Sequence, residues 1–349
     1  MLYKLQINRE IGFIAVICIY FFANSLHIFS ENTQKSKEKA KKQTAQTTNE
    51  DNDDNIHYNL GVIAAETKNF KEALNEFSIA IAINPKNKYA LYGKGSVFYQ
   101  LKQMDSAIFY MDKTLQIKTG DELALSLRAA AYQQIEKYPQ AIADYNKLIK
   151  IDTNNAHYYL NIAYCYQMQN DTNRAIEYYL LAESKGDRSN ELYYNLSNLY
   201  ASKLNYAKSL EYVDKIIEKG MQFGDVYDLQ IYDIMKVYNC DSAIHRYSQI
   251  SNSIEHKSNL LLQIGICKFE EKDYNIAIDL FTESYKIDSV EILNLYYRGF
   301  AYARLDSIDK SIADLQEFIS KSEQQSNYLE FQSSAQQQLD IFIERKKRE

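Results

Sequence analysis

The chain has 349 residues, with 40 basic and 46 acidic side chains. The resulting net charge of −6 repels phosphate backbones and argues against nucleic-acid binding. Two prolines and ten glycines are too few for a loop-rich all-β protein, and 31 tyrosines with no tryptophan suit helix packing. In chain order, Lys4 and Arg9 precede an uncharged, apolar run densest over residues 11–23. That pattern is expected of a secretory signal, with Ala23-Asn24-Ser25 as a cleavage site. Residues 11–29 are also long enough to stay as a transmembrane helix that anchors the chain. The following region is then expected outside the cytoplasm, exported across or tethered to the cytoplasmic membrane, while the lysines that follow, read as juxtamembrane, count against export. Residues 31–53 carry Lys35, Lys37, Lys39, Lys41 and Lys42 and then Asp51 and Asp53, with almost no apolar side chain. Such a segment buries too little surface to offset its ordering entropy, so a disordered charged linker is expected.

From Asp54 to Gln325 a 34-residue beat runs without insertion or deletion, with units opening at Asp54, Lys88, Glu122, Ala156, Asn190, Gly224, Ser258 and Ile292. The eighth position is small in most units, as in Gly61, Gly95, Ala129, Ala163, Ser197, Gly265 and Gly299, whereas Ile231 stands there in the sixth. Twelve residues later a second small residue recurs: Ala73, Ala107, Ala141, Ala175, Ser209, Ala243, Ala277, Ser311. Two small sites twelve apart bring two helices close together in each unit. A single pair cannot bury its own apolar face, so neighbours must stack. Asn69, Asp105, Asp241 and Asp273 fall at or beside second-helix starts, and Pro139 is expected at the first position of such a helix. Beyond the eighth unit, Tyr328, Phe331, Ala335, Leu339 and Phe342 share one face of an amphipathic capping helix over residues 326–345, followed by a basic tail.

These residues give the chain a resemblance to the tetratricopeptide repeat family. The first unit carries the pattern most fully at Leu60, Gly61, Ala64, Phe70, Ala73, Phe77, Ala80 and Pro85, and the sixth carries it least, with Ala243 and Tyr247. The family tryptophan at the fourth position is absent from every unit. The resemblance implies an all-α, right-handed α-solenoid of eight units (54–87, 88–121, 122–155, 156–189, 190–223, 224–257, 258–291 and 292–325). It also implies a non-catalytic scaffold binding a peptide or protein segment in a concave groove lined by the first helices. Carried over position by position, that groove holds Tyr58, Tyr89, Tyr92, Tyr99, Gln100, Gln133 and Gln134, then Tyr164, Gln167, Tyr194, Asn198, Tyr232, Phe269, Tyr296 and Phe300. Tyrosine offers large contact area at low entropy cost, and glutamine serves both donors and acceptors of an extended backbone, which suits a neutral or mildly cationic segment. The basic clamp by which some relatives grip a C-terminal carboxylate is missing, because Tyr58, Val62, Leu123 and Ser126 occupy its positions.

No phosphate loop, HExxH or GxSxG occurs, and the five histidines are scattered, so no catalytic, cofactor or metal residue is assigned. Cys165 and Cys267 share the tenth position of units four and seven and are expected to lie too far apart to bridge, while Cys240 opens a helix in unit six. All three are read as small core residues with free thiols. Asp105-Ser106-Ala107, Asp241-Ser242-Ala243, Asp288-Ser289-Val290 and Asp306-Ser307-Ile308 resemble a bacterial O-glycan acceptor pattern, with helix capping as the competing reading. A second class of function is a structural subunit of a cell-envelope assembly that uses the convex face or the edges.

Overall fold

The computed structural model describes residues 53–220, 224–250, 257–323 and 325–348. The expected leader and nearly all of the linker lie outside them. The described residues divide into two bodies, parted between Ile135 and Glu136. The first contains α1 (Asp53–Glu66), α2 (Phe70–Ile83), α3 (Lys88–Gln100), α4 (Met104–Ile117) and α5 (Glu122–Gln134). The second contains α6 (Tyr138–Ile151), α7 (Ala156–Met168), α8 (Thr172–Ser184), α9 (Asn190–Ser202), α10 (Tyr206–Glu218) and α11 (Gly224–Val237). It continues through α12 (Cys240–Ile250), α13 (Lys257–Glu270), α14 (Tyr274–Ile287), α15 (Leu293–Arg304), α16 (Ile308–Ser322) and, after a 3₁₀ turn at Ser326–Tyr328, α17 (Leu329–Arg348). No strand occurs among the described residues. Within each body helix pairs stack in series, the packing of an α-solenoid.

Both ends of the first helices have local causes. Where a unit begins, the preceding residue caps it: Asn87 Oδ1 accepts from the Tyr89 and Ala90 amides, Asp121 Oδ1 from Ala124, Asn155 Oδ1 from His157, and Ser189 Oγ from Leu192. Where a first helix stops, the chain turns through a left-handed residue at a fixed place in the beat: Lys68, Lys102, Glu136, Asn170, Leu204, Lys272 and Asp306, with φ between 56° and 67°. The amide after it reaches back five residues, as from Asn69 to the Ala64 carbonyl at 2.8 Å and from Asn205 to the Tyr200 carbonyl at 2.9 Å. This is a Schellman ending built without glycine. Second helices follow at once. Asp171, Asn205 and Asp273 cap them with side-chain oxygens, whereas Asn69 makes no such cap and donates to Glu72 instead.

The small eighth position is explained by what lies over it. A Cβ on Gly61 would sit 2.7 Å from the Phe77 ring, one on Gly265 2.6 Å from Phe281, and one on Gly299 2.9 Å from Leu315. Phe77 is held from both sides, since a Cβ on Gly93 of the next first helix would come within 2.6 Å of its Cζ. The sixth unit departs from this plan. Ile231 is wholly buried, and Asp233, two residues further along α11, is buried with neither carboxylate oxygen hydrogen-bonded.

Cysteine chemistry corrects one expectation. Cys240 and Cys267 form a disulfide, with Cα atoms 5.9 Å apart; only Cys165 is a free, buried thiol among the described residues. The geometry follows from the beat. The first residue of a second helix lies against the tenth residue of the next first helix, 27 positions on. Cys165 also stands at a tenth position, but Tyr138 fills the facing place, so it has no sulfur to meet.

Candidate functional site

Seven of the predicted groove residues belong to the first body. The rings of Tyr58 on α1 and Tyr89 on α3 lie 6.1 Å apart, and Tyr58 is also 6.1 Å from Phe77. Burial, and then the neighbouring Tyr89, pushes the Tyr58 hydroxyl pKa up. Tyr92 lies deeper and is raised further by burial, by the Asp121 carboxylate and by Tyr58; burial also raises Tyr99. These three hydroxyls therefore stay neutral and able to donate across the physiological range. Tyr89 is 58% exposed, with the Lys88 ammonium 4.7 Å above its ring. Gln100 and Gln133 are half-buried and Gln134 is exposed.

Tyr89 and Tyr92 open onto a cleft of about 230 Å³ lined also by Lys88, Thr114, Lys118, Asp121, Glu122 and Leu123. Its wall is held by Lys88 Nζ donating to Asp121 Oδ2 at 3.0 Å. That bond raises the Lys88 pKa against the opposing pull of burial. Asp121 is fixed in turn because it caps α5. On the rim, Lys118, Glu122 and Leu123 are exposed. The charged members were missed by sequence reasoning, which followed the inward positions of the first helices only. The signal was a lysine opening one unit and an aspartate closing the same unit, 33 residues later.

In the second body, Gln167 accepts from the Tyr179 hydroxyl at 2.7 Å, and the Asn198 amide donates to the Tyr194 carbonyl at 3.1 Å. Tyr164 and Tyr194 are half-buried. Tyr232 meets Tyr206 edge-on at 5.8 Å and carries Lys236 at 5.4 Å from its ring centroid. Phe269 lies 5.4 Å from Tyr274 and 6.1 Å from Tyr297. Tyr296 touches Phe300 at 4.8 Å, Phe318 at 5.3 Å and Phe331 of α17 at 5.0 Å, and its hydroxyl bonds Ser334. Tyr296 thus helps to seat the last helix. Near Tyr179, burial followed by Asp187 lifts the Glu191 carboxyl to about 7.

One group of metal-ligand type atoms lies together among the described residues, Cys240, Cys267 and Glu271, and its two sulfurs are bonded to each other. Beside them Lys268 is buried, 2.5 Å from Asp241, 3.0 Å from Glu271 and 3.9 Å from Asp273. Burial lowers its pKa, but the carboxylates outweigh that and raise it overall.

Sequence models of the Tetratricopeptide repeat match residues 55–87, 89–120, 124–155 and 156–184. With the stacked helix pairs, this makes the chain a tetratricopeptide-repeat protein. Among solved structures it is similar to a tetratricopeptide repeat protein from Parabacteroides merdae ATCC 43184 (14% identity, TM-score 0.48, 71% of this chain and 98% of that one). It is also similar to YrrB, described as a TPR protein with an unusual peptide-binding site (21%, 0.44, 55% and 97%). A third likeness is to Naa15/Naa10 bound to HypK-THB (12%, 0.53, 78% and 42%), which shares the fold and spans far more chain. No curated protein matches the chain.

Proposed function

We propose that the protein is a non-catalytic interaction scaffold whose first body takes up an extended segment of another polypeptide across Tyr58, Tyr89 and Tyr92. The observation that carries this reading is the exposed Tyr89 ring, flanked by Tyr58 and Lys88 above a cleft with both charge signs on its rim. Neutral tyrosine hydroxyls give contact area with one polar handle each, and the preformed helix stack leaves the ordering entropy to the ligand. Peptides selected from a random display library against the full chain test it. Bound peptides are expected to lose at least about tenfold in affinity to Tyr89→Ala, the loss of a hot-spot aromatic, and nothing to Asp279→Ala on α14. Equal loss or no loss in both variants rejects the site.

The array belongs, in this reading, to an oxidising space outside the cytoplasm, reached through residues 11–29 as leader or anchor. The Cys240–Cys267 disulfide supports it, because such bonds persist in oxidising compartments. Alkylation of intact native cells tests the placement: both cysteines should resist modification until a reductant is added. Among the described residues no helix is long and apolar enough to cross a membrane. A second reading, a subunit of an envelope assembly joined through an edge of the array, is favoured by Ile56, Leu60 and Ile63, which stand exposed on α1.

A further inference from the structure

Helix capping does not account for the four Asp-Ser-aliphatic triads. Gln103 stands at the cap position of α4 without a side-chain bond, so Asp105 and Ser106 lie inside the helix. Asn239 caps α12 by accepting from the Ser242 amide at 2.8 Å, while Asp241 pairs with Lys268. Ser307 precedes α16 but makes no side-chain cap, and Asp306 accepts from Arg345 at 2.9 Å. Asp288 ends α14 and accepts from the Val290 amide at 2.9 Å, which closes a turn and caps no helix start.

Exposure separates the four. Ala107 and Ala243 are wholly buried, and Ser106 and Ser242 are half-buried inside helices. Ser307 and Ile308 are half-buried as well. Asp288-Ser289-Val290 alone is exposed throughout, in the turn between α14 and α15, with Val290 82% exposed. The same turn closes two other junctions, where Asn84 Oδ1 accepts from Lys86 and Asp152 Oδ1 from Asn154. Polar residues stand there at the place that Val290 takes in the seventh unit. The turn therefore explains Asp288, whereas Ser289 and Val290 serve no packing. An enzyme that reads three consecutive side chains needs them outside regular structure and clear of neighbours, which a surface turn provides. We propose that Ser289 is an O-glycan attachment site, read as Asp288-Ser289-Val290. The inference rests on the export reading above. The donor is a sugar linked to a diphosphate. The bond from Ser289 Oγ to the anomeric carbon forms as the bond from that carbon to the diphosphate breaks. The electron pair leaves with the diphosphate, and the hydroxyl proton passes to a base of the transferase. A bulky, hydrated group is tolerated here because nothing in the triad is buried.

Trypsin digestion of the chain isolated from its native cell tests the site, because residues 287–298 form one peptide in which Ser289 is the sole serine or threonine. The mass of that peptide should exceed its sequence mass by one or more sugar residues. The increment should vanish in Ser289→Ala and also in Asp288→Glu, which keeps the hydroxyl. It should survive in Val290→Ala, since alanine holds that place in two of the other triads. All three positions are exposed, so helicity should not change. An unmodified wild-type peptide overturns the proposal. So does an increment that persists in Asp288→Glu, or an equal one at Ser106, Ser242 and Ser307. Alkylation of the same cells separates this site from the export reading. A bare Ser289 in a chain whose Cys240 and Cys267 resist the reagent refutes the site alone. A bare Ser289 beside alkylated cysteines refutes both.

Discussion

Replacing Gly265 by alanine sets two effects of opposite sign against each other. In a helix interior the exchange favours the folded state by about 1 kcal/mol, because glycine loses more backbone entropy. Here the new Cβ would lie 2.6 Å from Cε1 and 2.8 Å from Cδ1 of Phe281. Phe281 is wholly buried and its ring stacks on Tyr297 at 5.8 Å, so it cannot retreat freely. Overpacking of this kind costs about 1–3 kcal/mol. The net expectation is a loss of up to about 2 kcal/mol, confined to α13 and α14. Phe281→Leu makes room, so the double variant should lose less than the sum of the singles by about 1 kcal/mol. Hydrogen exchange of α13 and α14 amides is the suitable assay, because a repeat array opens locally and a single global transition would average the effect away. Gly120→Ala, whose Cβ would meet nothing within 4 Å, serves as control. Increased protection in Gly265→Ala would refute the close-approach argument and leave propensity alone as the cause.

Further expectations follow from the second body. Burial, reinforced by the neighbouring Asp214 carboxylate, lifts Asp233 to about 7, against an ordinary 3.8. The native state then holds this proton more tightly than the unfolded chain, so stability is full below about pH 4 and falls as pH rises through 7. Asp233→Asn should flatten the Tm profile between pH 5 and 8 and gain a few kcal/mol, roughly, at pH 8; an unchanged slope denies the burial argument. Leu204 stands 67% exposed in left-handed backbone at φ 59°, so Leu204→Gly should raise stability by about 1 kcal/mol in thermal melts, against the usual cost of glycine. Reducing Cys240–Cys267, which are 27 residues apart, should free loop entropy worth about 3 kcal/mol, seen as faster exchange in α12 only when reductant is present.

The helix pairs were legible because packing imposes a period. A small residue at Gly61 or Gly265 is required by the ring above it, and that requirement recurs every 34 positions. The first-helix endings were harder to see: Lys68, Leu204 and Asp306 adopt the conformation that glycine usually signals, and their side chains give no hint of it. The disulfide was missed because cysteines were compared at equal places in the beat, while the bond joins unequal places on stacked helices. In the site, the tyrosines came from the groove positions that the family resemblance implies. Lys88, Lys118 and Asp121 did not, since charges at unit junctions look like ordinary solvated residues until the fold sets them around one cleft.

The most direct test of the recognition surface places the photoreactive residue benzoylphenylalanine at Tyr89 in the native cell. Irradiation should join the chain to one polypeptide, through a short extended segment, and the same probe at Asp279 should capture nothing comparable. Identical products from both positions, or products that persist when Tyr58 and Tyr92 are also changed to alanine, would contradict a binding site in the first body.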